Sequence, residues 1–227
     1  RQYQTIYDST LEFLKFIKKN VSLKKKIILD IDCGGGANTI YLAKQNPTSV
    51  VIGVDYNKKL IEFASNKVKE DRIENCKFIF SSIEKLSLKK LGVSKIDLCI
   101  SFHFLSFTKK WILNNIEKII SLKPKYLAHS SLFYNGEVDA KILIDDFSRS
   151  EFQGSNYNVY SIPKIKDYLK KKNFSNFKYS QMKVNNNLKK PDHSGMQSYT
   201  LNLRNNKKML FSGPLYLPHG FFFSSRN

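Results

Sequence analysis

A short apolar run that breaks at once into glycines constrains this chain more than any other feature. Ile28-Leu29-Asp30-Ile31-Asp32-Cys33-Gly34-Gly35-Gly36-Ala37-Asn38-Thr39 reads as a strand, a tight bend and the start of a helix. Glycines in such a bend let the backbone pass close to a bound group with no β-carbon in the way, and the helix start that follows offers free amide groups. A second apolar run, Ser49-Val50-Val51-Ile52-Gly53-Val54, ends in Asp55, roughly 20 residues beyond the bend, where a carboxylate can accept hydrogen bonds from both hydroxyls of a ribose.

The pattern continues. Apolar runs at 76–80, 96–101 and 125–129 read as strands, and helical spacing recurs at 37–45, 58–69, 83–91 and 110–121. Strict alternation of this kind implies right-handed crossovers and a parallel sheet covered by helices on both faces, with ligands beyond the carboxyl ends of its strands. An amphipathic helix over 3–20, carrying Ile6, Phe13, Leu14 and Ile17, precedes the first strand. Past His129 we expect a helix around 138–147, a helix at 162–172 and a strand near 177–184. A hairpin joins 198–203 to 209–211 through Asn205-Asn206, and a last strand covers Phe221-Phe222-Phe223. No linker composition divides the chain, so we expect one domain over 1–227: a helical cap at 1–25, a cofactor-binding half at 26–130, and substrate-side insertions at 131–160 and 185–219.

The glycine bend with Asp55 suits an adenosine-containing cofactor, either a nicotinamide or flavin dinucleotide or S-adenosylmethionine. A dinucleotide site wants a third glycine where Thr39 stands. Asp30, at the end of the first strand, suits a cofactor whose methionine portion carries an ammonium group. Over residues 26–127 the chain resembles the class I S-adenosylmethionine-dependent methyltransferases, small-molecule branch, through a Leu-Asp-x-Gly-Cys-Gly-x-Gly signature matched at Leu29 to Gly36. The resemblance implies an α/β, Rossmann-like, doubly wound, mostly parallel seven-stranded sheet, here with a late hairpin insert, that binds S-adenosylmethionine and releases S-adenosylhomocysteine. It implies that Asp30, Cys33, Gly34 and Gly36 line the methionine portion, Asp55 holds the ribose and Tyr56 lies against the adenine. Ser82 and the Ile83 backbone would meet the adenine edge, and Ser101-Phe102-His103 would lie beside the reactive methyl. No metal is implied.

His103 is the candidate general base, set against packing among Phe102, Phe104 and Phe107. His129 is a weaker candidate, better read as structural; His193 and His219 lie in the late insert, where they can enter the substrate pocket but read better as exposed loop residues. Tyr3, Tyr7, Tyr134 and Tyr160 are candidates to cover the site, against a plain packing role.

A formal charge of +19 is carried almost wholly by lysines, scattered over expected helix surfaces, and this reads as composition more than as a nucleic-acid footprint. The segment after the fourth strand is Ser-Phe-His-Phe, unlike the Asn-Pro-Pro-Tyr type that marks exocyclic-amine methylation. The expected acceptor is therefore a small molecule, anionic or sugar-containing, such as a precursor of a bacterial surface polysaccharide. An RNA methyltransferase and a non-catalytic cofactor-binding domain are the alternatives. Cys33, Cys76 and Cys99 are widely spaced, with no metal-ligand pattern, and no apolar run approaches the ~20 residues of a membrane span. A cytoplasmic location with reduced thiols is the expectation. Oligomeric state is not legible.

One departure stands out. Asp32 occupies the position of the signature's first glycine. It is a harmless neighbour, a carboxylate that helps hold the cofactor's ammonium group, or a mark of a degenerate site. Comparing S-adenosylmethionine affinity between wild type and Asp32→Gly separates these: much tighter binding by the variant rules out the helpful role.

Overall fold

Apolar alternation on both faces of five parallel strands builds the sheet. In the computed structural model, which describes residues 6–107, 112–148, 154–192, 195–204 and 207–226, the first part of the chain runs α1 (Asp8–Asn20), β1 (Ile27–Ile31), α2 (Ala37–Lys44), β2 (Val50–Asp55), α3 (Lys58–Glu70) and β3 (Cys76–Phe80). A 3-10 turn (Ile83–Lys85), α4 (Leu88–Leu91), β4 (Leu98–Phe102), α5 (Phe104–Phe107), α6 (Ile112–Ser121) and β5 (Tyr126–Tyr134) follow. The remainder is β6 (Leu143–Ile144), β7 (Ser155–Asn156), β8 (Tyr160–Ser161), α7 (Ile162–Lys171), β9 (Phe174–Gln181), β10 (Ser198–Asn202), β11 (Lys208–Ser212), β12 (Leu215–Tyr216) and β13 (His219–Arg226).

The main sheet has the order β3-β2-β1-β4-β5-β13-β9, with β8 pairing the end of β5. Strands β1 to β5 are mutually parallel, while β13 runs antiparallel between β5 and β9. Side chains one apart go to opposite faces. Ile28, Val51, Leu98, Ile100, Ala128, Phe221 and Phe223 pack with Phe13, Leu14 and Ile17 of α1 and Ile40 of α2. Leu29, Ile31, Ile52, Val54, Cys99 and Leu127 pack on the other face against Ile112, Ile116 and Ile119 of α6 and Ile165 and Leu169 of α7. Burial on both sides accounts for the unbroken apolar reading of these strands. The order reverses between β1 and β4, and a crevice at such a switch point is where an α/β sheet binds ligands.

Three expectations need correction. The segment 83–91 is not one helix: Ser87 is extended (φ −151°), and its hydroxyl accepts from the Lys90 amide to cap α4, so the helical stretch is split. No helix covers 138–147. Ala140 bridges Val159, and β6 pairs β7 instead. Aspartates there bind loop backbone rather than a helix: Asp139 accepts from the Ser161 amide, Asp145 from Gly154 and Asp146 from Met196 and Ser148. The strand expected at 125–129 continues to Tyr134, its outer end taken up by β8 and β13.

The hairpin forms as expected, with β10 antiparallel to β11 from Ser198↔Ser212 to Asn202↔Lys208 and β12 added beyond it; Asn205-Asn206, its expected turn, lies outside the described residues. Helix α1 starts at Asp8, with Tyr3 outside the description. Cys33, Cys76 and Cys99 are free thiols, the last two buried. No helix among the described residues is long and apolar enough to cross a membrane.

Helix α2 sits close to the sheet because two glycines give way to one ring. A β-carbon at Gly53 would lie 2.4 Å from Phe78, and one at Gly36 would meet the same ring at 2.4 Å. Gly53→Ala is expected to cost about 1–3 kcal/mol through overpacking, read as a fall in unfolding free energy by urea titration. The cost should shrink in a Phe78→Leu background.

Candidate active site

The bend after β1 is held open by hydrogen bonds from its own backbone. The Cys33 amide donates to the Val54 carbonyl (3.1 Å), tying the bend to β2, and the Gly36 amide donates to the Cys33 carbonyl (3.0 Å). Asp32, Gly34 and Gly36 all adopt positive φ, at 58°, 55° and 83°. Aspartate tolerates this left-handed region better than most residues, so Asp32 keeps the turn that glycine would make. At Gly34 a β-carbon would meet nothing within 4 Å, which leaves the backbone bordering open space. Helix α2 then begins at Ala37 with no side chain capping its first amides.

Asp55 is the anchor. One carboxylate oxygen accepts from the Gly34 amide and the other from the Asn57 amide, both at 2.8 Å. Asp30 is 1% exposed; the Thr39 hydroxyl donates to one of its oxygens (2.7 Å), and the other has no partner. The Asp32 carboxyl lies near that of Asp55, which disfavours its ionisation. Burial, then the nearby carboxylates, push Asp30 up to about 7, opposed by the Thr39 bond. Burial and Asp55 likewise push Asp32 up to about 7. Burial and the three carboxylates hold Cys33 as a thiol. Concentrated negative charge with an orphaned carboxylate oxygen, set beside space bordered by Gly34, fits a ligand that brings positive charge.

Around this bend lie the other expected contacts. Tyr56 follows Asp55 and is 70% exposed, and Phe80, opposite Asp55 in the β2–β3 register, is 51% exposed. Both offer ring surface at the end of the sheet. Ser82 and Ile83 are half-buried in the 3-10 turn after β3, where the Ser81 amide donates to the Asp55 carbonyl (2.9 Å). Ser101 is buried, and its hydroxyl is engaged with Nδ1 of His129 (2.7 Å), so its side chain faces the interior. His129 is fully buried against Phe222, and burial lowers it to about 3. The structural reading of this histidine fits those surroundings.

His103 lies directly after β4 with φ 63°, its amide donating to the Ser130 carbonyl (2.8 Å). It borders a cavity of about 600 Å³ together with Tyr7, Asp8, Leu132, Tyr157 and His219. The hairpin region supplies the far wall, including Gln197, Thr200, Leu210 and Leu217. Helix α1 closes the near side. Its Thr10 hydroxyl donates to Asn38 on α2 (3.0 Å), and Phe13 packs edge-on against Phe102 (5.1 Å) and stacks on Phe221 (5.3 Å).

His219 corrects its expectation as an exposed loop residue. It opens β13, pairs with Leu132 of β5, and sets its ring edge-on to His103 at 4.6 Å between centroids. Of the tyrosines, Tyr7 lines the cavity, Tyr134 is exposed away from it and Tyr160 is core; His193 lies outside the described residues. Sequence reasoning missed Tyr157, weighed His219 as a pocket residue but favoured the loop reading, and named Thr39 without its bond to Asp30. Thr39 was legible as the hydroxyl at the position a dinucleotide site gives to glycine. The other two depend on long-range pairing.

A family model described as a methyltransferase domain matches residues 22–142, just over half of the 227-residue chain. The chain is 36% identical over 74 residues to the ubiquinone biosynthesis O-methyltransferase of Coxiella burnetii, covering 33% of this chain and 30% of that protein, so it spans less than a third of that relative's length. It is 29% identical over 153 residues to the probable cobalt-precorrin-6B C(15)-methyltransferase (decarboxylating) of Methanocaldococcus jannaschii, covering 65% and 70% of the two chains. Among solved structures it is similar in fold to magnesium protoporphyrin IX methyltransferase from Synechocystis with bound SAM, at a TM-score of 0.57 and 15% identity over 96% of this chain and 78% of that one.

The carboxylate cluster makes stability depend on pH. Asp30 and Asp32 bind protons more tightly folded than unfolded, so the native state loses stability as pH rises from about 4 to about 7. Asp32→Asn should therefore match wild type near pH 4 and exceed it by about 1 kcal/mol or more above pH 7, measured by urea denaturation across that range.

Proposed function

The chain belongs to the family of methyltransferase domains, and from that premise we propose that it moves a methyl group from S-adenosylmethionine to a small-molecule acceptor held in the cavity beside His103. The observation that carries this reading is the cluster of Asp30, Asp32 and Asp55 at a glycine bend bordering open space, on a chain whose net charge is +19. A protein so basic has no general affinity for cations, so a local acidic pocket argues for a specific cationic ligand.

In this reading Asp30 and Asp32 face the ammonium group, and the amides at the start of α2 lie near the carboxylate of the methionine portion. Asp55, with lone pairs beyond those that accept from Gly34 and Asn57, would hold the ribose hydroxyls, with Tyr56 against the adenine and Ser82 and Ile83 at its edge. Cys33, Gly34, Gly36 and the backbone of Ser101 border the remainder. When bound, the cofactor supplies an electrophilic methyl carbon on a sulfonium. The protein's contribution is then placement: the acceptor atom must lie in line with that carbon at near-attack distance. His103, which follows β4 and borders the cavity, is the group that would take an acceptor proton. Burial lowers it to about 4, so it is unprotonated at neutral pH.

A cavity of about 600 Å³ walled by residues from α1, β5 and the hairpin region is the size of a small-molecule site, which favours a metabolite over RNA. Anionic and sugar-containing acceptors, including a surface-polysaccharide precursor, are within that class. An RNA substrate would show binding that falls steeply with salt across many sequences.

Isothermal calorimetry tests the proposal. S-adenosylmethionine and S-adenosylhomocysteine should bind and NAD should not, and Asp55→Ala should weaken S-adenosylhomocysteine about tenfold or more, the equivalent of one charge-assisted hydrogen bond. Tight NAD binding, or no nucleoside binding at all, refutes it. Once an acceptor is in hand, His103→Ala should lower kcat by about 10²–10⁴.

A further inference from the structure

The glycine bend and the cavity lie toward the carboxyl ends of the parallel strands, with Asp30, Asp32 and Asp55 at the one and Asp8 at the other. The opposite end of the sheet is basic. Lys24, Lys25 and Lys26 run into β1, Lys95 precedes β4, and Lys123 and Lys125 run into β5. They lie in the connections between elements, not on helix surfaces as the sequence suggested. These three strands are neighbours in the sheet, and their first residues are tied in a row: the Asp97 amide donates to the Ile27 carbonyl and the Tyr126 amide to the Asp97 carbonyl, both at 2.9 Å. The ammonium groups of Lys26 and Lys125 lie over the same Tyr126 ring, 5.8 and 5.5 Å from its centroid. Lys26 is half-buried and the other five lysines are exposed.

Little opposes this charge. Asp97 lies among the six, nearly buried, and accepts from Lys95 (3.2 Å) and from the Ile27 amide (2.8 Å). The other carboxylates toward this end stand to either side: Glu117 is paired with Lys172, Asp167 lies one turn before Lys170 on α7, and at the β3 corner Asp71 is paired with Lys44 and Lys67 beside an exposed Glu74. The helices leading into β1, β4 and β5 end here and offset about half a charge each, which leaves most of the positive charge unbalanced. Composition alone does not account for it. Five helix-to-strand connections turn through the left-handed region, at Lys25, Arg72, Gly92, Lys123 and Asn173, with φ between 52° and 65°. Glycine and asparagine take up that region at little cost and long side chains do not. Three of the five positions nonetheless carry a cation, in a chain rich in asparagine, so backbone strain is held where the side chain supplies charge.

We propose that this edge is a docking surface for a bilayer rich in anionic phospholipid, on which the protein stands with the glycine bend and the cavity turned away from the lipid. The proposal is independent of the methyl-transfer reading. Neighbouring strands are about 4.8 Å apart, so the lysines of β1, β4 and β5 fall within roughly 10 Å, and a flat anionic surface laid across the edge meets them within about one Debye length. Each lysine so placed adds to the attraction. Three observations favour lipid over nucleic acid. The free cations are lysines, without the planar fork that grips a backbone phosphate, and the arginine beside Lys125, Arg226, is turned inward over the Phe174 ring (5.1 Å) to donate to the Ile120 carbonyl (3.4 Å). Tyr126 is stacked on Phe223 (5.8 Å) and covered by two ammonium groups, so its ring is no platform for a nucleobase. Among the described residues the exposed large apolar side chains lie elsewhere, save Val50 at the start of β2, so the contact is with headgroup charge and nothing wedges between bases or into hydrocarbon.

Vesicle sedimentation tests this. Wild type should bind vesicles of one part phosphatidylglycerol to two parts phosphatidylcholine, should not bind pure phosphatidylcholine, and should weaken about tenfold or more between roughly 0.1 and 0.5 M salt. An edge variant combining Lys24→Gln, Lys25→Asn, Lys123→Asn and Lys125→Gln should bind about tenfold or more weakly, while being at least as stable to urea as wild type, because strain and like-charge repulsion are both removed. Lys24→Gln with Lys125→Gln, which leaves both turns untouched, should bind about threefold or more weakly. A control combining Lys58→Gln, Lys59→Gln, Lys189→Gln and Lys190→Gln removes the same charge from positions off this edge, and should bind within about threefold of wild type. Equal weakening in the edge variant and the control would make net charge the cause and overturn the proposal. So would equal binding to neutral vesicles, no binding to anionic ones, or displacement from vesicles by a short RNA duplex at equal phosphate concentration, which would assign the surface to nucleic acid.

Discussion

Two hydrogen bonds to one carboxylate hold the site in shape. Asp55 accepts from Gly34 in the bend and from Asn57 at the cap of α3, so the end of β2, the turn after β1 and the start of α3 become one unit. With Gly36 and Gly53 yielding space to Phe78, the bend lies flat against the sheet and its open side points away from the core. The arrangement costs stability: Asp30, Asp32 and Asp55 are brought together where burial opposes their charges. Under the proposed function a cationic ligand would relieve that cost.

The cavity beside His103 is assembled differently. No single loop makes the cavity. Helix α1 contributes Tyr7 and Asp8, β4 leads to His103, β13 opens with His219, and the hairpin region closes the far wall. Placing β13 antiparallel between β5 and β9 brings its first residue, His219, opposite Leu132 near the carboxyl end of β5. The cavity and the glycine bend are lined by different segments, and segments on a fixed scaffold can vary independently.

Legibility in the sequence followed locality. The strands ending at Asp30 and Asp55 were readable because short runs without a polar residue, 27–29 and 50–54, each break at an aspartate, the first just before a glycine run. The hairpin at 198–212 was readable from its alternation. The segment 138–147 was not, because Val138, Leu143 and Phe147 fall near helical spacing yet remain exposed, while its aspartates bind backbone amides of distant loops. His219 was misread for a related reason: Pro218 and Gly220 flank it like loop residues, and only pairing with Leu132 on β5 carries it into the cavity. Thr39 was noticed as a missing glycine, and its role as the hydroxyl that steadies Asp30 emerged only with the three-dimensional bend.

If the carboxylate cluster is a receptor for positive charge, binding must displace the protons that burial holds on Asp30 and Asp32. Calorimetric titration of S-adenosylmethionine at pH 6.5 in buffers of different ionisation enthalpy counts those protons directly. The account requires a net release of about half a proton or more per cofactor bound, fading as pH rises to 9 and reduced in Asp32→Asn. Binding with no proton release, or with uptake, at pH 6.5 would contradict it.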